Sequence, residues 1–321
     1  MIIKKVCVVG GAGFVGSSIV SKLDAAGYQV KVLTRHRERA KHLILLPNVQ
    51  VKTCDIHNDE ALTRCLHGSD AVINLVGILH QNRNNTFESV HHQLPKRLVE
   101  ICDGLGVSRF IHMSALGSSE QAPSQYLRSK AHGEVALSLF RGGVNITTFK
   151  PSVIFGRGDR FLNLFASLIK FLPVIFLAKP EAKFQPIWVE DVASIFVNSL
   201  QNTETFAKSF NLAGPHDYSL RELVQKTMQI LGKKRLIIGL NDQLSYLQAW
   251  LMELLPIKLM TRDNVRSMEV DSIMKGAMAK EITCALMPLE AVMPEYIINK
   301  TPRAVYNQFR TAAGRVINAR R

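Results

Sequence analysis

The stretch 114–130, SALGSSEQAPSQYLRSK, holds three groups suited to proton transfer: Ser114, Tyr126 and Lys130. Tyr126 and Lys130 are four residues apart, a spacing that places both on one face of a helix. An ammonium beside a phenol favours the phenolate, drawing the tyrosine pKa down from about 10 toward a range useful to a general acid. The pattern Y-x-x-x-K is common by itself. Its position at the head of a helix, just after a strand that ends at Ser114, makes it a candidate catalytic pair.

A second constellation lies near the start of the chain. In VVGGAGFVGSS the glycines fit two registers, Gly11, Gly13 and Gly16 as G-x-G-x-x-G or Gly10, Gly13 and Gly16 as G-x-x-G-x-x-G, with Phe14 and Val15 inside the motif. Such glycines permit a tight turn, close approach of backbone to a pyrophosphate and close helix packing, with the phosphates at a helix N-terminus. The motif gains its weight from lying between a strand and a helix. At the end of the following strand, LTRHRERA offers no acid at Thr34 or Arg35 to bind a ribose 2′-hydroxyl. Arg35, Arg37 and Arg39 suit a 2′-phosphate instead, so NADP(H) is favoured over NAD(H).

These groups need elements to hold them. Apolar runs predict strands at 3–9, 30–34, 49–55, 71–77, 109–114 and 145–151. Helical patterns fall between them, up to Gly27 and then at 37–46, 58–67, 87–104 and 126–140. Repeated βα units of this length imply an α/β fold, a Rossmann-type doubly wound parallel sheet. Residues 1–155 form the nucleotide-binding core in this reading; 156–321 supply the remaining sheet edge, a small apolar C-terminal substrate-binding cap and a basic tail. The apolar segment 161–178 is interrupted by Asn163, Lys170 and Pro173, short of the ~20 residues a membrane span requires, and is read as a pocket-lining helix.

With these pieces in place the chain resembles the extended and atypical short-chain dehydrogenase/reductases, and within them the group related to the nucleotide-binding accessory subunit of respiratory complex I. GGAGFVG, CDIHND, INLVG, RFIHMSALG, YLRSKAHGE, FKPSVIFGRGD, FQPIWVEDVA and FNLAGP carry the resemblance, in order along most of the chain. The resemblance implies that Asp55 and Ile56 border the adenine, that Val76 and Gly77 line the ribose, and that Pro151, Val153 and Ile154 lie near the nicotinamide. It also implies hydride transfer with Tyr126 as acid and Lys130 holding the ribose. Two positions depart from the family pattern. Ala115 replaces the second serine after the strand, leaving Ser114 or Ser118 as the available hydroxyl, and His91 stands where many members carry asparagine. His91 is read as a packed or solvated helix residue.

Composition bounds the rest. The 321 residues are 47% hydrophobic and 21% charged, as in globular proteins, with a formal charge of +14 that attracts phosphates, nucleic acid or anionic lipid. No aromatic platform or recognition motif supports nucleic-acid binding. The five cysteines show no C-x-x-C spacing and suggest neither a metal site nor disulfides. A strand begins almost at the first residue, so cytoplasmic placement is expected, with the periphery of an inner membrane as a further possibility. LSYLQAWLMELLPIKLMTRDNV at 244–265 is rich in Leu, Trp and Met with basic flanks, and TAAGRVINARR closes the chain. Such a stretch closes a substrate pocket, or docks on an anionic membrane surface or respiratory complex. The expected substrate is a small apolar carbonyl or quinone-like compound. The alternatives are a non-catalytic structural or assembly factor stabilised by bound nucleotide, and a sugar-nucleotide epimerase or dehydratase.

Overall fold

The computed structural model describes residues 2–255 and 259–298. Strand β1 (Lys5–Val9) leads through the glycine turn into α1 (Phe14–Ala25), followed by β2 (Gln29–Thr34), β3 (Val49–Thr53), α2 (Asp59–Leu66) and β4 (Ala71–Asn74). Then come α3 (Leu94–Gly104), β5 (Arg109–Met113), α4 (Gln125–Ser138), β6 (Asn145–Pro151) and β7 (Ile154–Phe155). The second half contains α5 (Leu162–Phe171), β8 (Val174–Leu177), β9 (Lys183–Phe184), β10 (Ile187–Trp188), α6 (Val189–Ser199) and β11 (Lys208–Leu212). It continues with β12 (Tyr218–Ser219), α7 (Leu220–Ile230), β13 (Leu236–Gly239), α8 (Asp242–Glu253), α9 (Arg262–Ser267) and α10 (Leu289–Ile298).

Seven strands form one parallel sheet in the order β11-β6-β5-β4-β1-β2-β3, the doubly wound arrangement expected from the βα rhythm. Side chains alternate across it, as the pleat requires. Val6 and Val8 of β1 pack with Ile19 and Leu23 of α1 and Val192 and Phe196 of α6. Cys7 and Val9 face the other way, onto Leu62, Leu98 and Val99 of α2 and α3. A separate apolar cluster forms the cap, where Leu162 and Ile169 of α5 meet Leu223 and Val224 of α7 and Met293 of α10. The sheet's seventh strand, β11, comes from beyond residue 155.

Three segments differ from the periodicity reading. Residues 161–178 are not one helix: α5 ends at Phe171, and after Pro173, which has no N–H to extend it, the β-branched Val174 and Ile175 begin a strand. The helix expected at 37–46 is a 3₁₀ helix over Arg37–Leu43. The helix expected at 87–104 opens with a π turn, Glu88–Gln93, in which Leu94 N–H donates to Ser89 O five residues back. Pro95 has no N–H to give His91 O, its α-helical partner, so the wider turn is accommodated at this place. The basic tail at 311–321 and Lys258 lie outside the described residues. No helix among the described residues is long and apolar enough to cross a membrane.

Helix α4 crosses this π turn at very short range. A Cβ placed on Gly133 would collide with His91 O and approach Pro95. Gly133→Ala is therefore expected to lower stability by roughly 1–3 kcal/mol, the usual cost of overpacking. Gly104→Ala, where a new Cβ meets nothing within 4 Å, is expected to raise it by up to about 1 kcal/mol. Urea-unfolding midpoints of the two variants check the contrast.

Candidate functional site

Strand β1 pairs with β2 on one side and β4 on the other, so the strand order reverses between β1 and β4. Open α/β sheets take ligands in the crevice at the carboxyl ends of such strands. Gly10 ends β1 with φ +86°, where an L side chain is strained, and a Cβ on it would lie 3.2 Å from Leu75 C and Val76 N across the crevice. Gly16 seats α1 on the turn: its Cβ would come 2.5 Å from Gly10 O. Gly11 packs beneath, where a Cβ would stand 3.0 Å from Val32 Cγ1. Gly13 is the N-cap, without a side-chain cap, and the first turn of α1 carries no acid. Gly10, Gly11 and Gly16 thus have steric reasons and Gly13 caps the helix, so the two sequence registers merge into one cradle that leaves amides of the N-terminus of α1 available to an anion. Phe14 lies close to the β7 loop, near Gly156 and Gly158, and Val15 is buried under the turn.

At the end of β2, Arg35 Nη1 donates to Asn85 Oδ1 at 3.3 Å, and His57 Nε2 lies 3.3 Å from the same oxygen. Arg35, His57 and Asn85 therefore converge where the adenine ribose is expected; no sequence spacing links His57 and Asn85 to Arg35. Arg37 lies instead with Gln50 and Lys52 along an open groove beside β3. Asp55 accepts from His57 N–H at 3.0 Å, while Ile56 is buried and its carbonyl accepts from Arg97. Val76 N–H donates to Asn74 Oδ1, and Gly77 lies against Lys130: a Cβ there would stand 3.4 Å from Nζ and 3.8 Å from His91 Nε2. On the far wall, Pro151 O accepts from Leu116 N–H, Val153 O from Ile187 N–H, and Ile154 forms β7.

Lys130 is 2% exposed, and its ammonium donates to Met113 O at 3.1 Å. Burial holds its pKa down to about 8 against the partial support of Glu134. Tyr126 is half-buried with its ring edge-on to His91 and Phe87, and burial pushes its hydroxyl up to about 12. This corrects the expectation drawn from the i, i+4 spacing. The ammonium is held by a backbone carbonyl, so desolvation rather than the nearby charge sets the phenol, which keeps its proton at neutral pH.

Ser114 Oγ and Ser118 Oγ both donate to Oε1 of Glu134, and Lys150 pairs with its other oxygen at 2.9 Å. Glu134 continues the 126/130 face by four more residues, a signal present in the sequence. Two buried histidines complete the floor. His91 accepts from Ile78 N–H at Nε2, so its proton sits on Nδ1 and goes to Ser129 Oγ at 2.8 Å. Burial, with Lys130 and His112 beside it, holds its pKa down to about 2. Asn74 gives its oxygen to Val76, so its amide nitrogen donates to His112 Nδ1, and the proton of His112 sits on Nε2. Burial keeps His112 neutral as well. From the cap, Asp263 of α9 accepts Gln125 N–H at 2.7 Å and Tyr126 N–H at 3.0 Å, placing a carboxylate on the positive end of α4.

The family model described as NAD dependent epimerase/dehydratase family matches residues 6–213. The chain belongs to this family. It is 36% identical over 225 residues to the NADH dehydrogenase (ubiquinone) 1 alpha subcomplex subunit 9, mitochondrial, of Mus musculus, covering 68% of this chain and 59% of that protein. It therefore spans about three fifths of that relative's length. A ceramide reductase of Caulobacter vibrioides is 27% identical, with 74% of each chain covered. Among solved structures, a UDP-glucuronic acid 4-epimerase from Bacillus cereus superposes with a TM-score of 0.69 at 17% identity, covering 92% of this chain and 100% of the other. At that identity the likeness shows the fold.

The depressed pKa of Lys130 has a signed consequence. Between about 8 and the unfolded value of 10.5 the unfolded chain holds this proton and the folded protein does not. Stability from this group therefore rises with pH across that window and is lowest below it. From about pH 7 to about pH 10, wild type is expected to gain on the order of 2–3 kcal/mol relative to Lys130→Met. Urea titrations of both proteins without nucleotide measure the difference; a constant gap would show that Lys130 is not depressed.

Proposed function

We propose that the protein binds NADP(H) across the crevice between β1 and β4 and reduces an apolar carbonyl or quinone-related compound. The observation that carries this reading is the buried ammonium of Lys130 against Gly77, at the place where the family's nicotinamide ribose is expected. Gly10, Gly13 and Gly16 form a cradle that a Cβ would fill, and Arg35 stands at the end of β2 without an acid beside it. The bound nicotinamide would supply the hydride. Tyr126, protonated at neutral pH, gives its proton to the substrate oxygen as the carbonyl carbon receives the hydride, producing an alcohol; its raised pKa makes it a weaker acid than a solvated tyrosine. Lys130 holds the ribose, and a negative cofactor returns charge to a site whose ammonium is poorly solvated. The names of two relatives, a ceramide reductase and subunits of an NADH–ubiquinone enzyme, fit an apolar substrate. So does Val153, which packs into the apolar cap with Phe161 and Met268.

A second reading has its own observation. Ser114 and Ser118 are both committed to Glu134, and Ala115 adds no hydroxyl, so none of these three positions offers an uncommitted group to orient the substrate carbonyl. In this reading bound nucleotide stabilises a structural or assembly factor, and Lys130 is its clamp.

Calorimetry with both reduced nucleotides is expected to show tighter binding of NADPH than NADH. A charge-assisted contact is worth about 1.5–3 kcal/mol, so Arg35→Ala should weaken NADPH roughly tenfold or more and hardly change NADH; equal affinities in wild type would remove the phosphate reading. Lys130→Ala should weaken both nucleotides, while Tyr126→Phe leaves NADPH within a few-fold. In a carbonyl and quinone screen, Tyr126→Phe should lower turnover by roughly 10²–10⁴, the usual worth of a positioned acid. If no hydride transfer is found while Lys130→Ala still lowers nucleotide affinity, the structural reading takes its place.

A further inference from the structure

Helix α8 carries its apolar stripe on the wrong side for a surface helix. Ser245 and Ala249, one turn apart, are its buried residues, and Gln248 Nε2 donates to Phe176 O at 3.1 Å, fixing which face meets the cap. The opposite face presents Leu244, Leu247, Trp250, Leu251 and, at the C-cap, Leu254, all exposed. At 3.6 residues per turn these span roughly 120° of arc. An ordinary surface helix turns such a stripe toward the core.

Apolar side chains are exposed on the neighbouring β8–β13 ribbon as well. Ile238 of β13 is the register partner of Phe176 of β8, both exposed, and Leu236 shares their face two residues earlier. Leu236 N–H donates to Pro173 O, next to Phe171 and Leu172 at the end of α5, and Phe171 is 84% exposed. Clusters of exposed apolar side chains of this kind mark interaction sites.

Charge selects the partner. Lys170 precedes Phe171, and Lys233 and Lys234, both exposed, precede Leu236. The acids of α8 are already neutralised, Asp242 by Lys179 at 2.9 Å and Glu253 by Arg262 at 2.9 Å. The chain as a whole carries +14. Leucines and a tryptophan on one side, with lysines at the margin and no unpaired acid on the helix, suit the boundary between headgroups and acyl chains of an anionic bilayer.

We propose that the outer face of α8 together with the β8–β13 ribbon docks this protein on an anionic lipid bilayer. The proposal does not rest on turnover or on nucleotide choice. It does bear on them: Glu253 at the end of α8 accepts Arg262 N–H of α9 at 2.7 Å, and the next residue, Asp263, caps α4 at Tyr126. The docking face is thus tied by two short junctions to the catalytic helix.

The test is flotation of the full chain with vesicles of phosphatidylcholine alone and with phosphatidylglycerol added. Binding is expected only with the anionic lipid, at low salt, with a blue shift of Trp250 fluorescence, and is weakened at high salt. At about fivefold per lysine, Lys233→Ala with Lys234→Ala should weaken binding roughly thirtyfold. Leu247→Gln with Leu251→Gln should weaken it more than tenfold, with the melting temperature unchanged because both side chains are exposed. Nucleotide affinity, measured by calorimetry, should be the same in every variant, which separates docking from the function proposed above. The proposal is overturned by absence of flotation at low salt, or by binding that survives Leu247→Gln with Leu251→Gln. A concentration-dependent dimer dissolved by that pair, without vesicle binding, would assign the face to a second copy of the chain instead.

Discussion

A lysine ammonium buried beneath the ligand crevice is the constraint around which the rest of the site is arranged. Taking such a charge out of water is expensive unless it is satisfied, and Lys130 is satisfied only in part, by Met113 O and by Glu134 one turn further along α4. Its neighbours are arranged to add no second positive charge. His91 and His112 are both neutral, each with its tautomer set by a backbone N–H, directly from Ile78 in one case and through Asn74 in the other. A site with one underpaid cation favours an anionic ligand, and the glycine cradle lies in the same crevice.

The second organising feature is the crossing of α4 over the start of the long helix that ends in α3. Gly133 permits it sterically, and Pro95 removes a donor that a regular helix would have used at His91 O. The resulting contact packs His91 between Phe87 and the tyrosine ring and links Ser129 back to Tyr126 O. Tyr126 is therefore held from three sides: by the histidine, by its own helix, and by Asp263 reaching from α9 in the cap. Core and cap meet on the helix that carries the candidate acid.

The departure at Ala115 acquires a structural meaning in this setting. Ser114 and Ser118 are donors to Glu134, and Glu134 is paired with Lys150, so the hydroxyls belong to a polar network that braces β5, α4 and β6. A carboxylate at 134 sits where it can support Lys130 electrostatically and hold both serines at once. The polar groups next to the candidate acid are thus bound into this network.

Much of the architecture was legible without coordinates. The βα rhythm, the glycine turn and the i, i+4 spacing are local patterns, set by periodicity and backbone sterics over a few residues, and they determined the fold class, the crevice and the placement of Tyr126 and Lys130 on one helix. The sequence also exposed the apolar character of 244–255, because hydrophobic content needs no partner to be counted. Only the tertiary structure decided which side of α8 faces solvent, which carbonyl takes the ammonium of Lys130, and that Asn85 and Asp263 reach residues 50 and 137 positions away. Those outcomes depend on desolvation and on contacts between distant segments. That is why a spacing that promised a lowered tyrosine pKa instead yielded a raised one: the helix put both residues on one face, and burial then chose their partners.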